Sequence, residues 1–187
     1  MKRHMARDSA TGWAAVRPGW VDLLIIAAAP LYIVVATLVH EGSHALFAMA
    51  MGGTITNFEF LYRCDSLGMC TYGRVRYVGV HSSLITAAPF LIDLVKSCLG
   101  ALLIPRIRKA PRWLWINLCI VTLGMSLVDS LWNYARTAGD VTGLLAAHPD
   151  WLVHTAFLTS LTIQVGLVLV VLRFALHGRP NLSRRLR

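Results

Sequence analysis

The chain has 187 residues, of which 56% are hydrophobic and only 14% charged, with a formal net charge of +9. A mean hydropathy of +0.60 lies outside the usual range of soluble domains and points to an integral membrane protein. The basic excess is read as topology and contact with anionic lipid, not nucleic-acid binding, because no aromatic residues interleave with it.

Residues 1–19 form a basic arm carrying Lys2, Arg3, Arg7 and Arg17 and ending in Pro18-Gly19. An apolar run follows. Its Ala27-Ala28-Ala29 resembles a signal-peptide cleavage site. Cleavage there would remove half of a helix that continues unbroken in pattern, so the run is read as an uncleaved first transmembrane helix. That helix is expected from Trp20 to Met51, with a kink at Pro30 and a stop at Gly52-Gly53.

Inside it lies His40-Glu41-Gly42-Ser43-His44. Residues four apart on a helix share a face, so the two imidazoles can grip one metal ion. Glu41 is then placed to act as general base on a water that the metal activates. The bilayer penalises all three side chains at such a depth, which argues for a polar cavity or a bound ion.

Beyond the glycines the pattern changes period. Thr54–Tyr62 and Arg74–Val78 alternate and are rich in β-branched and aromatic residues, which predicts a hairpin over 54–78 joined by Cys64 to Gly73. Cys64 and Cys70 are close enough in the loop to bridge in an oxidising compartment; two free thiols are the alternative.

Three more apolar helices are expected. Ser82–Ile104 carries Asp93 and Lys96 three apart, a pairing read as structural. Pro105–Arg112 is a basic turn, and Trp113–Tyr134 ends with Asp129 and Asn133 one turn apart. A polar connection with glycines, Ala135–Asp150, leads to the last helix, Trp151–Leu176, and a basic tail at 177–187. The fold class is therefore an all-α integral membrane protein, with four transmembrane helices at 20–176 and a membrane-associated hairpin after the first.

With four spans, the arm, the basic turn and the tail share one side and, with Arg173 at the end of the last helix, hold thirteen Lys and Arg, against four on the other. The positive-inside rule makes the termini cytoplasmic and turns the metal site toward the extracytoplasmic face.

A catalytic zinc takes three protein ligands and keeps one position for water. Asp140, between Gly139 and Gly143, is the first candidate for the third ligand, and Asp129 the second. His148 and His154 are also within reach.

These residues carry a resemblance. His40-Glu41-Gly42-Ser43-His44 on a transmembrane helix, Gly52-Gly53 and a hairpin, then a helix opening Ala87-Ala88-Pro89, resembles the site-2 protease family of intramembrane zinc metalloproteases. In that family a later Asp supplies the third ligand, and Gly139-Asp140-Val141-Thr142-Gly143 is the nearest equivalent here. Asp93 stands near the position of the family's mid-helix Asn or Asp, and Ala88 replaces its Gly before Pro.

The resemblance implies zinc as cofactor, Glu41 as catalytic base, His40, His44 and Asp140 as ligands, and a transmembrane protein as substrate. A different reading is a non-catalytic accessory subunit of a larger membrane complex that keeps the protease-like fold. Haem held by transmembrane histidines is a third. The topology has its own test. A cysteine placed in the Pro105–Arg112 turn should be shielded from an impermeant thiol reagent in intact cells, and one beside Arg136 should react; the reverse labelling inverts the orientation.

Overall fold

The computed structural model describes residues 19–64, 70–107, 111–137 and 139–177. The expected basic arm and tail lie almost wholly outside the described residues, as does the middle of the basic turn. The described chain contains α1 (Trp20–Ala27), α2 (Ala29–Ala50), a hairpin of β1 (Thr54–Cys64) and β2 (Cys70–Val78), and α3 (Ser83–Leu103). It continues with α4 (Arg112–Cys119), α5 (Met125–Arg136), α6 (Asp140–Ala147) and α7 (Asp150–His177).

Four stretches, 29–50, 83–107, 113–136 and 150–175, are long and apolar enough to cross a membrane. Their outward faces carry Leu46, Leu99, Leu103, Leu131, Trp132, Leu169 and Val170, all exposed. A belt of that kind suits a hydrocarbon environment and not water. The second stretch is the hub, since α3 packs against α2, α5, α6 and α7.

The first expected helix is two. The chain breaks at Ala28, and Pro30 sits in the first turn of α2, where a missing N–H leaves no bond unmade. At its other end α2 closes in a glycine cap: Gly52 has φ +88°, and the Gly53 N–H donates to the Ala48 carbonyl at 2.8 Å. Ser82 caps α3, its hydroxyl accepting from the Leu84 N–H.

The third stretch is interrupted by a π-turn at Ile120–Gly124. There the Ser97 hydroxyl of α3 donates to the Thr122 carbonyl at 3.3 Å, and Gly100 leaves room for the Thr122 side chain against α3. Buried Gln164 of α7 donates to Ser130 of α5 at 3.1 Å and ties the last two long helices together.

The stretch between Ala135 and Asp150, expected as a polar connection with glycines, contains α6. Polar and glycine-rich composition concealed a short helix whose Val141 and Leu144, three apart, are buried against Phe90, Val153 and Phe157.

The hairpin is longer than expected, so Cys64 and Cys70 face each other across the strand ends and not within the loop. The side chains of 62–72, and with them the disulfide expectation, lie outside what is described. Both strands pack against α2. A register shift between Glu59 and Tyr62 sets Phe60 and Leu61 against Gly73 alone, forming a bulge.

Gly73 is buried with φ +93°, and a Cβ there would lie 2.6 Å from both Glu41 Cγ and Thr37 Cγ2. Only glycine lets the strand rest on this turn of α2. Gly73→Ala should therefore destabilise the chain by about 1–3 kcal/mol through overpacking and backbone strain, lowering Tm in detergent. An unchanged Tm would mean that the hairpin does not sit on Glu41.

Candidate metal centre

His40 and His44 lie one turn apart on α2, with ring centroids 5.3 Å from each other and ring planes at 74°. Their Nε2 atoms converge on a single oxygen, Oδ2 of Asp140, each at 3.1 Å. The three ligand atoms lie within 4.8 Å of one another, and the group could hold a metal ion. Both histidine side chains are almost enclosed, at 12% and 10% exposure, and Asp140 is at 24%.

What happens behind the rings decides which way their lone pairs point. The Nδ1 of His40 is 2.7 Å from Asp129 Oδ2, and the Nδ1 of His44 is 2.7 Å from the backbone oxygen of Ile85. A carbonyl or carboxylate oxygen only accepts, so each Nδ1 must carry the hydrogen. In a neutral imidazole that leaves Nε2 bare. Two bare nitrogens and a carboxylate oxygen then face one another with no hydrogen among them, an arrangement that a shared cation satisfies.

The Ile85 oxygen is free for a reason written in the sequence. In α3 it would accept from the N–H four residues on, but residue 89 is proline and has none. Pro89 thus leaves a buried acceptor that His44 fills. The adjacent Phe90 presents its ring edge-on to His40 at 6.0 Å and extends into the apolar cluster that anchors α6.

Asp140 opens that helix just after Gly139, whose φ is +59°, and Thr137, whose φ is +46°. These left-handed turns bring the chain from the end of α5 back over the histidines. Burial works to raise the Asp140 carboxyl; with protons on the two Nε2 atoms in place of a cation, the bonds to His40 and His44 outweigh it and hold it well below the usual carboxylate range. Tyr77 of β2 is near enough to respond: partial burial, then the Asp140 charge, push its phenol above its ordinary value.

Glu41 is buried within electrostatic reach of His40, His44 and Asp140, beneath Gly73. Asp129 stands behind His40, on the side of the ring away from the convergence point, with Asn133 donating to its Oδ1 at 3.2 Å. His154 bonds instead to the Tyr134 hydroxyl at 3.0 Å, and His148 is exposed beyond the end of α6. Gly73, Tyr77 and the Ile85 carbonyl were not singled out from the sequence for this site. Pro89 was noted only in the helix opening Ala87-Ala88-Pro89, and a proline inside an apolar helix was the one available signal for the freed carbonyl.

No protein-family model, no curated protein and no solved structure matches this chain.

The link between Pro89 and His44 can be tested. Pro89→Ala restores an N–H that competes for the Ile85 oxygen, so the affinity for any divalent metal held here, measured against a chelator, should fall roughly 10–100-fold while Tm holds or rises. Unchanged affinity would mean that the carbonyl does not orient His44.

Proposed function

We propose that the chain is an intramembrane zinc metalloprotease that hydrolyses a peptide bond in or near a transmembrane segment. The observation that carries this reading is the convergence of His40 Nε2, His44 Nε2 and Asp140 Oδ2, with both Nδ1 atoms engaged by oxygen acceptors. Two nitrogens and one carboxylate oxygen are the donor set of a catalytic zinc, with one position left for water.

When bound, zinc acidifies a water and polarises a carbonyl. Glu41 takes the proton from the attacking water and delivers it to the leaving amine. Asp129 and the Ile85 carbonyl keep the two imidazoles oriented. The exposed apolar belt on four long helices supports a bilayer as the surrounding phase and a transmembrane protein as substrate. Such a substrate must enter unwound, because a helix hides its carbonyls in internal bonds.

Haem ligation is less well supported, since His40 and His44 share one helix and His154 is engaged by Tyr134. Cleavage of a model transmembrane peptide, measured with zinc content, tests the proposal. Glu41→Gln should retain zinc and lose cleavage by about 10²–10⁴-fold. Asp140→Ala should lose zinc, and Asp129→Ala should lose less of it. Glu41→Gln cleaving at the wild-type rate would end the general-base assignment; a zinc-loaded wild type that cleaves nothing would favour an accessory subunit.

A further inference from the structure

A cavity of about 410 Å³ lies between α1 and α4, at the end of the bundle away from the histidines. One wall is Trp20, Leu24, Ala28 and Tyr32, spaced four apart, together with Ile25; Trp113 and Asn117 of α4 form the other. The volume is in the range of small-molecule sites. The Tyr32 hydroxyl donates to Asn117 Oδ1, and Asn117 Nδ2 donates to the Trp113 carbonyl at 2.7 Å. These polar groups satisfy one another, so the cavity asks for a hydrocarbon occupant.

Charge is arranged at the rim and not in the walls. None of the lining residues is ionised, but both walls are entered from basic sequence. Lys2, Arg3, Arg7 and Arg17 precede α1, with Asp8 the one acid among them. Arg106, Arg108, Lys109 and Arg112 lead into α4 with no acid at all. The short 3-10 turn Ile104–Ile107 packs against α4 and presents Arg106 exposed. Asp22, the acid of α1, accepts from the Gly19 N–H at 2.9 Å. Trp20 and Trp113, both largely exposed, stand where an apolar interior meets a basic rim, as tryptophans at a bilayer surface do.

We propose that this cavity is a binding site for one anionic phospholipid, an acyl chain lying between α1 and α4 and the phosphate meeting the basic residues before Trp113. A phospholipid supplies in one molecule the hydrocarbon that the walls accept and the negative charge that the rim attracts. The site is separate from the metal centre, and its existence does not depend on whether the chain binds zinc or cleaves peptides.

Native mass spectrometry of the purified full chain in detergent tests it, titrating phosphatidylglycerol or phosphatidylcholine of the same oleoyl chains, with Tm measured alongside. One phosphatidylglycerol should bind about tenfold or more tightly than phosphatidylcholine. Ala28→Phe, which fills the cavity, should lose that tight site; Leu24→Trp is the substitute should the phenylalanine variant fail to fold. Arg108→Gln, Lys109→Gln and Arg112→Gln together should weaken phosphatidylglycerol roughly 10–100-fold and leave phosphatidylcholine unchanged. Equal binding of the two lipids overturns the proposal, as does undiminished phosphatidylglycerol binding in the filled variant or in the triple charge variant. A dimer that Ala28→Phe or Leu24→Trp dissociates would make the occupant a second copy of the chain and overturn it too.

Discussion

Two imidazoles with both Nδ1 atoms committed to oxygen acceptors have no choice about where their lone pairs point, and Asp140 is what they meet. Three electron-rich atoms cannot stay together in a low-dielectric interior without a cation or added protons between them. The surrounding architecture serves that confrontation. α2 supplies the spacing, α3 supplies an unclaimed carbonyl, α5 supplies the Asp129 carboxylate, and α6 carries the third ligand atom back across the rings.

Each of these parts depends on a local defect in otherwise regular structure. Pro89 removes one helical hydrogen bond and so creates an acceptor. Gly139 and Thr137 take left-handed conformations that end one helix and begin another within four residues. Gly73 lets a strand lie on Glu41 where any side chain would collide. Regular helices tolerate such interruptions when side chains satisfy the freed groups, as His44 does for Ile85. The apolar cluster of Phe90, Val141, Leu144, Val153 and Phe157 then holds α6 in place. Packing and polar geometry therefore act on the same few residues.

The hairpin has a comparable double role. Its strands are long enough to be stable only because they rest on α2, and in resting there they cover the glutamate. The bulge of Phe60 and Leu61 opposite Gly73 twists the ribbon at that point, a common position for bulges beside functional residues.

Much of this was legible in the residues alone. Hydropathy and length marked the four spans, period-2 alternation marked the hairpin, and His40-Glu41-Gly42-Ser43-His44 marked the site, because each is a pattern within one element. The tertiary structure decided the rest. It put Asp140 in front of the rings and Asp129 behind His40, although both acids lie near the same end of the chain's third span and either suits a metal chemically. Those contacts join residues 89 to 100 apart in sequence, and the His44–Ile85 bond joins residues 41 apart. No local periodicity encodes which acid arrives at which nitrogen. The α6 helix escaped notice for a related reason: its two buried residues acquire meaning only against Phe90, Val153 and Phe157. A motif declares its own geometry, whereas its completion depends on how separate helices pack.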